Sequence, residues 1–396
     1  MLPFEDARRA ILSGVQALPS ERLPLRAAAQ RVLAEDLCAT DPLPRFDYSA
    51  MDGYAVDAAD FSGRGPWSLP VHGESRAGAD TLLFTRGSAC RIFTGGPLPV
   101  GANAVVAQED TREVPGGIVL EASPKDGDHV RRRGEDLARG ALGLARGTRL
   151  RGYQLSLAAA LDRADVVVAR RPRVSIISTG DELRPPGQPG SASSVPESNS
   201  LAIAVHAESA GAIVQILPAA ADDVSALERR LSLALADTDL LITIGGVSVG
   251  HYDLVRPALE RAGAVLDFWK VAIKPGKPLV FGRLGPTRIL GLPGNPVSAQ
   301  LTFALFGLPL VRALQGELEP GPHFRHARLL GEIRQRTGRM GFYRGVSSAE
   351  GVTPLDNQAS GNVASLARAD VLIAIAADSE GARAGDSVPI LVLSEL

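Results

Sequence analysis

The sequence predicts a multi-domain α/β protein. A doubly wound parallel sheet is its central unit, accompanied by a helical part, a β-rich insertion and a small all-β C-terminal part. Three observations carry this. From Arg173 onward, hydrophobic runs of strand length alternate with segments of helical period. Two of those runs end in glycine turns, GGVSVG at 245–250 and GLPGNP at 291–296. At 396 residues the chain also exceeds one ordinary core.

In chain order, Phe4, Ala7, Ile11, Val15 and Leu18 recur at helical spacing, and residues 25–37 continue as helix after Leu-Pro-Leu. Between 40 and about 130, short β-like runs at 67–71, 89–93, 104–108 and 117–120 are divided by Gly and Pro. Residues 137–169 read as mostly helical, centred on 153–161, and pack with the N-terminal helices. The β-rich part is then an insertion between two halves of one helical domain. The expected divisions are 1–40 with 137–170, 41–136, 171–316 and 317–396.

Within the third unit, strands are expected at 174–178, 213–217, 240–244, 265–269 and 288–292. Helices are expected at 199–211, along the face lined by Val224, Leu227, Leu231 and Leu235, from Asp253, and from Asn295-Pro296. Asp222 or Asp223 caps the second of these helices. After Glu317 short β-like runs return, and the Pro/Gly/Ser stretch 184–196 is a loop.

Composition narrows the function classes. A net charge of −2 argues against a generally basic nucleic-acid binder. Two cysteines cannot build a disulfide framework or a four-cysteine zinc site. The start MLPFEDARRA lacks the apolar core of a signal peptide, and no run approaches the about 20 apolar residues of a membrane span. A cytoplasmic protein with no membrane or nucleic-acid partner is expected.

Ligands of a doubly wound sheet bind beyond the carboxyl ends of its strands. The turns at 179–182, 245–250 and 291–295 should share that edge. Strand-to-helix glycine turns present free N–H groups and a positive helix end. Lys270, Lys274 and Lys277 fall between the two glycine motifs, in WKVAIKPGKP, and Pro275 and Pro278 restrict their backbone. This combination suits a phosphate-bearing or oxyanionic ligand. GGVSVG has neither P-loop nor dinucleotide spacing, and a plain tight turn is an equal alternative.

Further candidates are Asp52 in SAMDGYA, Thr94 in IFTGGPLP, Arg131 and Asp136 in RRRGED, Asp181 and Glu182 in TGDEL, Asp222, and Asp253. The bland alternatives are an Asp-Gly turn, an ST-turn, a solvated charge run and helix caps. Carboxylates mixed with cationic groups fit a hard divalent cation bridging an anionic ligand, which points to magnesium. The six His are scattered, and no Gly-x-Ser-x-Gly elbow supplies a nucleophile.

SAMDGYA, IFTGGPLP, VRRRGEDL, STGDEL, GGVSVGHYD, FWKVAIKPGKP, LGLPGNPVSA and SGNVASLARAD occur in this order along the whole chain. Together they resemble the molybdopterin molybdenumtransferase family, the MoeA proteins, related to the E domain of gephyrin and of plant Cnx1. The resemblance implies a homodimer whose helical domain forms the dimer, an inserted β-rich domain, an α/β molybdopterin-binding domain and a C-terminal β-barrel. It implies an active site shared between subunits. Asp52, Thr94, Arg131 and Asp136 of one subunit would face Glu182, Asp222, Asp253, Lys270, Lys274, Pro293 and Pro296 of the other.

The implied reaction is molybdate insertion into adenylylated molybdopterin, with release of AMP and a need for magnesium. Under it, Asp52, Asp136, Glu182, Asp253 and Lys274 are the catalytic candidates. Thr94, Arg131, Gly245, Gly246, Ser248, Lys270, Lys277, Pro293 and Pro296 would bind substrate. Glu182, Asp222 and Asp253 would hold the metal. A molybdopterin adenylyltransferase and molybdoenzyme apoproteins or their chaperones are the expected partners. The competing readings are a dimeric scaffold, as gephyrin illustrates, and the adenylylation step itself.

Overall fold

At the centre lies a six-stranded sheet in the order Ile213–Ile216, Arg173–Ser178, Leu240–Ile244, Thr287–Leu292, Pro278–Leu284, Val265–Lys270. The computed structural model describes residues 1–220, 223–246 and 254–396. The first four strands run parallel, and the last two run antiparallel to their neighbours. The sheet is therefore mixed, where a purely parallel one was expected. The reason is local. Pro278–Leu284, a strand absent from the sequence reading, reaches Thr287–Leu292 through only Gly285 and Pro286. So short a connection permits only a hairpin, because a parallel crossover needs a dozen or more residues.

Alternating side chains divide the core between the two faces of this sheet. Ile176, Ile242, Leu290 and Phe281 face the helices Asn199–Ser209 and 296–314. Their neighbours Ile177, Leu241, Ile289 and Val280 face the helices Val224–Leu235 and Val255–Arg261. The helix 296–314 is apolar and long enough to cross a membrane, but it is mostly buried as a core helix.

The helix expected over 25–37 is absent. Only the turn after Pro24 forms, and it ends at Gln30, whose φ is 64°. The backbone of 30–34 bonds instead to Leu150, Thr148 and Val167, so non-local pairing overrides good helix propensity. Residues 137–169 likewise contain a single nine-residue helix, Gly152–Ala160, between the strands Leu142–Leu144 and Asp165–Ala169. Segments 20–38 and 142–169 join through strands, Ser20–Pro24 with Asp165–Ala169 and Leu37–Cys38 with Leu142–Leu144. Around Leu33, Leu37, Leu150 and Val166 they bury a small core of their own.

The remaining N-terminal helix, Phe4–Leu12, packs elsewhere. Phe4, Ala7 and Ile11 join the core of the central sheet. The Phe4 ring meets Phe306 and Phe342 edge-on, each with centroids 5.4 Å away, and Phe324 at 6.4 Å.

Residues 53–120 form a second six-stranded sheet, ordered Ala104–Ala107, Gly53–Val56, Ala89–Ile92, Trp67–Ser75, Gly117–Leu120, Thr111–Val114. In the C-terminal part, Met340–Ser348 pairs with Gly351–Pro354 and Val371–Ile375, which continues through Ser387–Val392 to Arg325–Arg328. A bridge from Leu329 back to Val352 closes this ring into a small barrel.

Phe4 ties the N-terminal helix to the central sheet and to the barrel, and it is buried. Phe4→Ala should cost about 3–5 kcal/mol. A fall of that size in denaturant titration checks the assignment, and a loss below 1 kcal/mol would show that the ring cluster does not bind these parts together.

Candidate functional site

The parallel strands present their ends on one edge. Thr179 N–H donates to the Ile244 carbonyl at 2.9 Å, and Gly245 N–H donates to the Leu292 carbonyl at 3.0 Å. Each ladder thus runs one residue past its strand and stacks the three turns. Gly245 has φ 85°, and a Cβ there would lie 2.8 Å from the Thr179 carbonyl oxygen. Its neighbour Gly246 sits against Val255. Pro293 is buried, and Pro296 half-buried.

The lysines reach the same edge because the strand direction reverses. Val280 lies opposite Gly291 and Lys270 opposite Pro278, so the connection 271–277 closes beside the ends of the parallel strands. That connection is braced on three sides. Leu2 N–H donates to the Lys270 carbonyl at 3.1 Å, and Ala272 N–H donates back to Leu2 at 2.8 Å. Val271 N–H bonds the Lys277 carbonyl at 3.0 Å. From the barrel, Met340 N–H bonds the Ala272 carbonyl at 2.8 Å, and Ile273–Lys274 adds a short parallel strand to Met340–Gly341. Gly276 has φ 101°, and a Cβ would lie 2.4 Å from Thr302 Cγ2, so only glycine fits.

Lys274 and Lys277 are exposed and Lys270 is half-buried. Among the described residues none of the three ammonium groups has an ion-pair partner. Composition holds a clue that motif reading missed. Of 42 basic residues only four are lysines, and three of these are Lys270, Lys274 and Lys277. A chain that uses arginine elsewhere keeps the compact ammonium here. That is the choice expected of a point charge on an oxyanion.

Glu182 is exposed, and its carboxylate folds back so that a Cβ on Gly180 would meet Oε2 at 2.6 Å. Asp222, Ser248 and Asp253 lie outside the described residues. Asp223, the alternative to Asp222, accepts the Leu227 N–H on its carbonyl at 3.0 Å. Among the described residues no group of three or more His, Cys, Asp or Glu could hold a metal.

The helix end at Asn295-Pro296 offers fewer donors than its sequence suggests. Pro296 has no N–H. The N–H of Val297 is taken at 3.0 Å by the carbonyl of Ser360, in the C-terminal SGNVASLARAD motif. Beside this contact region, Arg344 and Ser365 are buried, and each carries a polar atom with no partner among the described residues.

Asp52, Thr94, Arg131 and Asp136 lie in the inserted β-rich part, as two pairs linked through the backbone of Ser49. Tyr48–Ser49 pairs with Val130–Arg131, and Gly95 N–H donates to the Ser49 carbonyl at 2.8 Å. Asp52 Oδ1 accepts both the backbone N–H and the hydroxyl of Thr94, each at 2.7 Å. These two bonds, the backbone one first, hold the Asp52 carboxyl below its ordinary pKa. SAMDGYA is no bare turn, since Gly53 opens a central strand. Arg131 donates to Asp136 at 2.6 Å and to Glu135 at 3.2 Å, which pairs the charges of RRRGED within the motif. Among the described residues no hydrogen bond or ion pair joins this cluster to Glu182 or the lysines.

Three family models match the chain in succession. They are the MoeA N-terminal region (domain I and II) over 2–161, a probable molybdopterin binding domain over 175–313, and the MoeA C-terminal region (domain IV) over 326–393. Molybdopterin molybdenumtransferase 2 of Mycobacterium tuberculosis (strain H37Rv) is 37% identical over 401 residues, covering 98% of this chain and 99% of the relative. The molybdopterin molybdenumtransferase of Haemophilus influenzae is 38% identical over 353 residues, covering 87% and 86%. The crystal structure of the molybdopterin biosynthesis moeA protein from Pyrococcus horikoshii OT3 superposes with a TM-score of 0.86 at 29% identity, covering 99% and 100%.

The Asp52–Thr94 pair can be read by titration. Thr94→Val removes the hydroxyl donor but keeps the backbone one. The Asp52 pKa should then rise towards its ordinary value without reaching it, as followed by carboxyl-carbon NMR. Because the folded pKa is depressed, any stability from this pair is present above the unfolded pKa and fades as pH falls through the folded one. An unchanged Asp52 titration in the variant would remove the Thr94 hydroxyl as a cause and leave the backbone N–H.

Proposed function

Since the chain belongs to the molybdopterin molybdenumtransferase (MoeA) family, we propose that its insertion of molybdenum uses adenylylated molybdopterin, releases AMP and requires magnesium. As a transferase of molybdenum cofactor biosynthesis it handles two anionic substrates, molybdate and a pyrophosphate-linked pterin. The observation that carries the reading is the concentration of three of the chain's four lysines on the braced connection beside the glycine turns.

The residues divide the work by chemistry. Lys270, Lys274 and Lys277 bind molybdate and phosphate oxygens as point charges. Bracing from Leu2 and Met340 means little backbone freedom is lost when they do so. The turns at 245–246 and 293–295 let the substrate approach the backbone closely. Water cleaves the phosphoanhydride and AMP leaves, and as molybdenum bonds the two dithiolene sulfurs one molybdate oxo group departs as water with the two thiol protons. No covalent enzyme intermediate is needed.

For magnesium, Glu182 would offer hard carboxylate oxygens beside the strand edge. Asp222 and Asp253 would complete the set with it, and the bound ion would neutralise charge on the phosphoanhydride. The protein would act in the cytoplasm. Molybdopterin adenylyltransferase would supply its substrate, and apo-molybdoenzymes or their chaperones would take its product.

The separate Asp52–Thr94–Arg131–Asp136 cluster supports a homodimer in which each site takes that cluster from the second subunit. Asp52 and Asp136 would meet the substrate there, positioned by Thr94 and Arg131.

Reconstitution of the purified protein with magnesium, adenylylated molybdopterin and molybdate tests the reaction. AMP release and activation of an apo-molybdoenzyme should both depend on molybdate. Lys274→Ala should slow AMP release by about 10- to 100-fold, the usual loss of a charge-assisted contact. Consumption of ATP with free molybdopterin would move the protein to the adenylylation step.

Sharing between subunits has its own test. Asp52→Ala and Lys274→Ala are each expected to keep at most about a tenth of wild-type activity. After subunit exchange, half the dimers are mixed and each has one intact site, so about a quarter of wild-type activity should return. No recovery, with mixed dimers verified by mass, would place the whole site in one chain.

A further inference from the structure

Asn199 is the first residue of the helix Asn199–Ser209, and it is 8% exposed. Its own N–H and that of Ser200 are capped by Glu197 Oε1 at 3.0 and 2.9 Å, and the Ser178 hydroxyl donates to the same oxygen at 3.1 Å. With the cap supplied by Glu197, the Asn199 amide turns sideways. Its Nδ2 donates to the Gly294 carbonyl, in the GLPGN turn, at 2.9 Å. Its Oδ1 is buried with no partner among the described residues. An unsatisfied buried acceptor is destabilising, and holding one against this turn calls for a reason.

Peptide planarity supplies the reason. In a trans peptide the C=O and the following N–H point in opposite directions. With the Gly294 carbonyl held inward on Asn199, the Asn295 N–H is aimed outward, where both Gly294 and Asn295 are exposed. The next two residues offer nothing, because Pro296 lacks an N–H and that of Val297 is bound to Ser360. Among the described residues the Asn295 N–H has no acceptor.

We propose that Asn199 is a positioning residue for the transfer reaction. It fixes the Gly294–Asn295 peptide so that the Asn295 N–H donates to a tetrahedral oxyanion beside the lysines. The anion is molybdate or the substrate's phosphate. This role rests on the function proposed above.

Asn199→Ala and Asn199→Asp both remove the amide donor, and the second adds a negative charge. Ala204→Gly serves as control, since it loosens the same helix at a buried position away from the turn. Asn199→Ala should raise the KM of the anion it serves about ten-fold with kcat within about two-fold, and Asn199→Asp more. Ala204→Gly should leave KM unchanged, because a merely loosened helix does not reorient one peptide. A shift for molybdate alone, or for adenylylated molybdopterin alone, identifies which oxyanion sits there.

Calorimetric binding of molybdate and of AMP to the full chain separates this role from the reaction itself. Wild-type binding that weakens about ten-fold in Asn199→Ala upholds the role even where no turnover is seen. Binding or KM in Asn199→Ala equal to that of Ala204→Gly overturns it. Wild-type protein that binds neither anion overturns it together with the function.

Discussion

The site depends on a reversal of strand direction. Four parallel strands deliver their carboxyl ends to one edge, as any doubly wound sheet does. Had the next strand also been parallel, the lysine segment would have crossed to the opposite edge. Because Pro278–Leu284 and Val265–Lys270 form antiparallel neighbours, the connection between them returns to the ligand edge. The cationic segment thus meets the glycine turns through backbone hydrogen bonding, without relying on side-chain packing.

A second constraint acts on the charges. Three like-charged ammonium groups repel one another, and without counter-ions their loop would spread in the absence of ligand. Bonds from Leu2, from the loop itself and from Met340 oppose this. These braces come from residues near the start of the chain and from the C-terminal barrel. The site is therefore prepared in part by segments that lie outside the central sheet. The inserted sheet follows a different economy. There Arg131 is already paired with Glu135 and Asp136, and Asp52 Oδ1 with Thr94, so a ligand meets charges that are already partly balanced.

Much of the central sheet was legible in the sequence because its determinants are local. The strands at 174–178, 240–244 and 288–292 are short apolar runs closed by glycine turns, and the helix at 224–235 shows its apolar stripe directly. Residues 25–37 were misread for the converse reason. Their composition favours a helix, yet their main chain finds partners more than a hundred residues away, at 148–150 and 167. The strand Pro278–Leu284 was passed over, although the two-residue connection to its neighbour carried the information. Bonds such as Thr94 to Asp52, or Asn199 to Gly294, join positions whose separation follows no period, and no pattern in one sequence announces them. The scarcity of lysine did announce the cationic segment, in plain counts.

The short pairing of Ile273–Lys274 with Met340–Gly341 bears on how this chain can be divided. By sequence Ile273 and Lys274 belong to the α/β unit, whereas by hydrogen bonding they are the edge of the barrel sheet. A shuffled or minimised version that keeps residues up to Leu314 and discards the rest would retain every residue of the lysine segment. It would nonetheless lose the support that holds Lys274 in place and expose an unpaired strand edge. The useful boundary for chimeras is therefore one that carries the barrel along with the sheet, since the two share ownership of a single ammonium group.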